Sequence, residues 1–215
     1  MLSLIRLRRF LKFLSRFSCF GLFLLVIFLS SCTSSQSDNV VSFQPWSKGA
    51  VQAKVVIKEY SDFQCPACRA YFSLVEQLLQ EFPDSVALEY HHFPLRSIHK
   101  YANLAAQASE AAGLQDAFWP MHKLLFEHQT DWVNASDPKE VIFGYAESLS
   151  LDIPKFKNDL ENDIVLDRID EDYKKGIELG IRGTPTFFIN DILIENPKSY
   201  EEFRSVVQSF LNQAS

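Results

Sequence analysis

The segment 55–60 (VVIKEY) is β-branched and alternates in polarity, the pattern of a largely buried strand. After Cys65-Pro66-Ala67-Cys68 the period changes. Tyr71, Phe72, Val75, Leu78, Leu79 and Phe82 recur at helical spacing, which predicts a helix opening at or near Pro66, a residue tolerated at a first helical position. A second strand is expected over 86–92 (VALEYHH), after Pro83-Asp84. Strand, helix and strand make a βαβ unit, whose crossover is right-handed. Ahead of it, 40–43 reads as a short edge strand and 45–52 as a loop.

From 97 to about 150 the texture is helical. An alanine-rich helix over 99–112 stops at Gly113, and 116–128 carries Phe118, Met121, Leu124, Leu125 and Phe126 around a broad apolar face. Asp137-Pro138 and Asp152-Ile153-Pro154 open further helices, and a long helix covers 164–179 up to Gly180. β structure returns at 183–190 (GTPTFFIN), and Asn190-Asp191 turns the chain into 192–194. A last helix over 200–211 buries Phe203, Val206, Val207 and Phe210. This order gives an α/β fold class: a thioredoxin fold with an inserted helical subdomain at about 97–162.

The chemistry centres on the C-x-x-C. With Pro66 at the first helical position, the Cys65 sulfur lies beside unpaired N–H groups and the positive end of the helix dipole, which favour a thiolate. Cys68 lies one turn away on the same face. A disulfide closing so short a loop removes little unfolded-chain entropy, so it is a poor staple and better suited to being made and broken. Zinc needs four ligands, and the four cysteines are Cys19, Cys32, Cys65 and Cys68, two of them in the leader. No metal and no cofactor are therefore expected. His91, His92, His99, His122 and His128 are scattered and are taken as packing or capping residues, and Trp119 and Trp132 as core of the helical stretch.

Residues 1–31 differ from the rest. Arg6, Arg8, Arg9, Lys12 and Arg16 form a basic stretch with no acid, followed by a 13-residue apolar run at 17–29, short for a membrane span. Leu29-Ser30-Ser31-Cys32 then resembles the lipobox of bacterial lipoproteins, in which the cysteine is lipidated and becomes the mature N-terminus. An ordinary signal peptide and an uncleaved anchor are the alternatives. Residues 32–44 are expected to tether the lipid to a domain over 45–215, the stretch 33–39 being polar and free of glycine. Cleavage leaves 16 basic against 27 acidic side chains, a net charge of −11. With no basic run to neutralise phosphates, nucleic acid is not an expected partner. An exported protein also meets an oxidising compartment, where a C-x-x-C can cycle.

Four stretches carry a family resemblance: 60–69 (YSDFQCPACR), 92–95 (HFPL), 117–122 (AFWPMH) and 183–187 (GTPTF). In this order they resemble the DsbA-like thiol:disulfide oxidoreductases, from residue 55 to the C-terminus. The resemblance implies that Cys65 is the nucleophile and Cys68 the resolving thiol. It also implies that Pro185 is a cis-proline facing them, with the Thr184 backbone free to pair with an extended substrate. An acid at the position of Glu59 is, in the family, buried beneath the disulfide and moves the resolving cysteine's proton. Lys58 and Glu59 point to opposite faces of their strand, so one of them must face a covered side. One departure stands out. DsbA proper has a histidine before its second cysteine, where this chain has Ala67, and Arg69 replaces only part of that positive field.

The expected function is an exported, periplasmic or cell-envelope enzyme that exchanges a Cys65–Cys68 disulfide with cysteine-containing exported proteins as a dithiol oxidase. A DsbB-like membrane partner would reoxidise it, with a DsbD-like donor if it runs as a reductase or isomerase instead. A non-catalytic peptide-binding lipoprotein is the remaining alternative. Cys32 would hold it to the bilayer. Because the stretch after Cys32 leaves no room for a dimerisation domain, a monomer is expected.

Overall fold

The computed structural model describes residues 43–214. The leader, Cys32 and residues 40–42 of the expected edge strand lie outside the described residues. Trp46–Gly49 (β1), Val55–Ser61 (β2), Val86–His92 (β3), Thr186–Ile189 (β4) and Ile192–Leu193 (β5) form one sheet in the order β1-β3-β2-β4-β5. β2 and β3 are parallel, and every other pairing is antiparallel. The helices are Pro66–Glu81 (α1), Ala102–Gly113 (α2), Phe118–Glu127 (α3), Gln129–Val133 (α4), Pro138–Ser148 (α5), Ile153–Asp159 (α6), Asp163–Glu178 (α7) and Tyr200–Gln213 (α8).

The period-2 pattern of β2 decides what lies under the helices. Val55 and Ile57 face α1 and α8, packing with Val75, Leu78, Phe187, Phe203 and Val207. Glu59 and Ser61 continue that same face towards the head of α1. Tyr60 points to the other side, into a smaller cluster with Phe93, Ile181 and Phe188. A larger core joins α1 to the helical stretch: Phe63, Cys68 and Phe72 pack with Phe118, Met121, Leu125, Phe126 and Trp132.

Two elements differ from the sequence expectation. Residues 46–49 form a strand where a loop was expected. The segment WSKG has little strand pattern of its own; Trp46 holds it by stacking on Phe118 at 4.4 Å and by donating from Nε1 to Glu110 Oε1 at 2.7 Å. Gly49, at φ +104°, lies so close to β3 that a Cβ would meet Val86 O at 2.5 Å. The helix expected over 116–128 runs from Phe118 to Glu127, and the short α4 that starts at Gln129 directly after it was not expected. Elsewhere local chemistry prevails. Asp137, Asp152, Asn162 and Ser199 cap α5, α6, α7 and α8 through their side chains. Asn190 and Asp191 both take positive φ in the β4–β5 turn.

Candidate active site

α1 opens on Cys65, which is its N-cap residue and makes no side-chain cap bond, with Pro66 in the first turn. Two N–H groups at the head of the helix, those of Ala67 and Cys68, are thus left to the sulfur. Both cysteines are free and buried, Cys65 6% exposed and Cys68 fully enclosed. The Cys65 thiol donates to the Thr184 carbonyl at 3.4 Å. The Thr184–Pro185 peptide bond is cis, and Asn196 Nδ2 donates to the Pro185 carbonyl at 2.7 Å.

The two sulfurs are driven apart in acidity. A hydrogen bond from the Cys68 thiol does most to lower the Cys65 pKa, to about 5, against the opposing cost of burial. The Thr184 hydroxyl and the N–H groups of Cys68 and Ala67 add to it. The Thr184 hydroxyl is buried with no hydrogen-bond partner among the described residues, so a thiolate gives it one. Cys68 moves upward, chiefly from burial, then from Cys65 and the charge of Glu59. Cys65 is thus the more acidic of the two sulfurs, and Cys68 the one that holds its proton more tightly.

Glu59 lies on the helix-covered face of β2, paired with Tyr90 on β3 and Phe187 on β4. It is 2% exposed, and its Oε1 has no hydrogen-bond partner among the described residues. Burial raises its pKa to about 7, partly offset by the Ser61 hydroxyl and the charge of Lys48, while Glu76 acts the other way. Lys48 and Glu76 are themselves an ion pair, with the Lys48 ammonium 4.5 Å from the Trp119 ring centre. Lys58, on the opposite face, pairs with Asp191 at 2.6 Å.

Cys65, Cys68, Thr184 and Glu59 thus meet at one end of the sheet, with Pro185 next to them in the chain. Cys32 is outside the described residues. Arg69 lies one turn from Cys65, and its backbone N–H donates to the Cys65 carbonyl at 3.2 Å. The histidines are spread through the structure. His91 pairs with Asp172, His92 with Glu110 and His99 with Asp62, whereas His122 is buried among aromatic rings without a hydrogen bond among the described residues, and burial pushes its pKa down. No group of three or more His, Cys, Asp or Glu side chains is placed to hold a metal among the described residues.

The sequence reading missed the residues that hold the loop ahead of α1. Asp62 accepts from Gln64 N and Leu95 N, Gln64 Oε1 accepts from Tyr101 N, and Gln129 donates to the Phe63 and Cys65 carbonyls. Asp62 and Gln64 sit inside the stretch that carries the resemblance. Gln129 has no local signal beyond its place at a helix start.

A family model described as Thioredoxin matches residues 44–209. The chain belongs to the thioredoxin family. Solved structures share its architecture. BdbD from Bacillus subtilis, in its oxidised form, is 25% identical with a TM-score of 0.65, covering 80% of this chain and 98% of that one. Wolbachia pipientis alpha-DsbA1 gives a TM-score of 0.70 at 21% identity over 80% and 92% of the two chains. The catalytic domain of Proteus mirabilis ScsC gives 0.65 at 24% over 78% and 89%. Among curated relatives, a Na(+)/H(+) antiporter NhaA 1 of Salinispora arenicola is 41% identical over 143 residues, 66% of this chain and 21% of that protein. An NhaA 3 of Salinispora tropica is 38% identical over 162 residues, 75% and 24%. This thioredoxin-family chain therefore spans less than a quarter of the length of the curated relatives it matches. No helix among the described residues is long and apolar enough to cross a membrane.

Proposed function

We propose that this chain is an exported thiol:disulfide oxidoreductase that acts as a dithiol oxidase on cysteine-containing exported proteins. The observation that carries this reading is the placing of two free, buried cysteines at the head of α1, with Cys65 against the carbonyl of the cis Thr184–Pro185 bond, an arrangement that lowers the Cys65 pKa and raises that of Cys68. A substrate thiolate attacks Cys65 Sγ of the disulfide; the S–S bond breaks and Cys68 leaves with the electron pair. Cys68, held above its ordinary pKa, takes a proton, and Glu59 is the nearby carboxyl that supplies it. A second substrate thiolate then attacks the substrate's own sulfur in the mixed disulfide. Cys65 departs as a stable thiolate, and the substrate leaves oxidised by two electrons. A DsbB-like membrane partner takes those electrons to restore the Cys65–Cys68 disulfide. Lipidated Cys32 keeps the enzyme at the bilayer.

The direction follows from the leaving group. A Cys65 thiolate at pKa about 5 stabilises the reduced state at pH 7 by roughly 3 kcal/mol relative to an ordinary thiol. That makes the disulfide about 60 mV more oxidising, since about 30 mV corresponds to 1.4 kcal/mol for this couple. An extended substrate has room next to the cis-proline: a cleft of about 450 Å³ is lined by Pro185, Thr186, Ile181, Phe188 and Leu193. Equilibration with glutathione, followed by addition of a reduced unfolded protein, tests the proposal. A potential well above that of thioredoxin (about −270 mV) and net formation of substrate disulfides are expected. A thioredoxin-like potential with no substrate oxidation would instead make the chain a reductase.

A further inference from the structure

The segment that delivers Cys65 to the head of α1 is only four residues long, and the helical stretch between β3 and β4 grips it. Asp62 Oδ1 accepts from Gln64 N at 2.7 Å, while Oδ2 accepts from Leu95 N at 2.9 Å and lies 2.7 Å from His99 Nδ1. Gln64 Oε1 accepts from Tyr101 N at 2.7 Å. The contact nearest the sulfur comes from farthest along the chain. Gln129, 4% exposed at the first position of α4, donates from Nε2 to Phe63 O at 2.7 Å and to Cys65 O at 2.9 Å. A primary amide has two N–H donors, and these two bonds use both. α4 is itself firmly seated, because Trp132 is fully buried and its Nε1 donates to Leu125 O at 2.8 Å.

We propose that Gln129 is a positioning residue for Cys65: its two hydrogen bonds fix the carbonyls of Phe63 and Cys65 and so hold the thiol over the first turn of α1. The inference rests on the reading of Cys65 as the reacting sulfur. The Cys65 carbonyl is the N-cap acceptor that begins the helix, receiving Arg69 N at 3.2 Å. Its orientation sets where the Cys65 side chain stands relative to the N–H groups of Ala67 and Cys68. Removing the donors leaves the Phe63 carbonyl without its side-chain partner and the Cys65 carbonyl with Arg69 N alone, which the segment relieves by turning toward water. That rotation moves Sγ off the helix axis. Reactivity at Cys65 is thereby tied to a residue 64 positions away, in the helical stretch and not in the thioredoxin core.

The test uses the reduced full-length protein and the pH midpoint for iodoacetamide alkylation of Cys65, read at that site by peptide mass mapping. Gln129→Met keeps the volume and removes both donors. Gln129→Asn keeps the amide but is one methylene too short, and it carries the test if the methionine variant does not fold. Asn162→Ala, which removes the side-chain cap of α7, is the control for general destabilisation. The midpoint is expected to rise by about one pH unit in the Gln129 variants, making alkylation at pH 5 about five-fold slower, with no change in the Asn162 control. An unchanged midpoint overturns the proposal, and so does an equal rise in the control, which would reduce Gln129 to one more contributor to stability. A wild type in which Cys65 reacts no faster than Cys68 would fail differently, by removing the functional reading on which the proposal stands.

Discussion

The hydrogen bond from the Cys68 thiol does more than any other contact to lower the Cys65 pKa. Replacing Cys68 by alanine removes that donor and leaves the helix N–H groups and the Thr184 hydroxyl in place. Hydrogen bonds to charged groups contribute about 1.5–3 kcal/mol, and a thiol is a weak donor, so the low end applies. At about 1.4 kcal/mol per pH unit, the Cys65 midpoint in Cys68→Ala should rise by about one unit from its value near 5. At pH 5 about half of the wild-type sulfur is thiolate against about a tenth in the variant, so alkylation there should slow about five-fold. At pH 8 the Cys65 sulfur is ionised in both proteins and the two rates should converge. The assay is the rate of iodoacetamide labelling of Cys65 in the reduced protein from pH 4 to 8, with the site resolved by mass spectrometry. A variant midpoint equal to that of the wild type would refute the reasoning and assign the low pKa to the backbone N–H groups of Ala67 and Cys68 instead.

Thr184→Val should raise the same midpoint by less than Cys68→Ala does, since the hydroxyl ranks behind the Cys68 thiol; a larger rise would reverse that order. Glu59 has a folded pKa raised to about 7, so its contribution to stability is present below the unfolded carboxylate value and is lost as pH rises through 7. Glu59→Gln should therefore gain about 3 kcal/mol on the wild type between pH 4 and 8 in urea unfolding of the reduced protein, and a pH-independent difference would mean that the carboxylate is not held in a dry site. The same variant should slow disulfide exchange while leaving the Cys65 midpoint nearly unchanged. Cys32→Ala should release the protein from the membrane fraction with full dithiol activity; retention equal to that of the wild type would point to an uncleaved apolar helix.

Local sequence determined the parts of this protein that depend on neighbours in the chain. The strand over 55–61, the helix opening at Pro66, the turn at Asn190-Asp191 and the capped helices after Asp137 and Asp152 all follow from period, proline and short polar side chains acting within a few residues. The same reasoning put the Cys65 sulfur at a helix N-terminus, because cap geometry is local. Tertiary structure decided what local pattern cannot carry. Whether Lys58 or Glu59 would be covered depended on which face of β2 receives α1, and packing chose Glu59. The strand at Trp46–Gly49 exists because Phe118 and Glu110, more than sixty residues away, receive the Trp46 ring. The split in acidity between the two cysteines needed the enclosure of Cys68 and the hydroxyl of Thr184, and the hold on Cys65 needed Gln129. Burial and distant hydrogen bonds come only with the folded chain, since sequence separation sets neither dielectric surroundings nor the partner across a core.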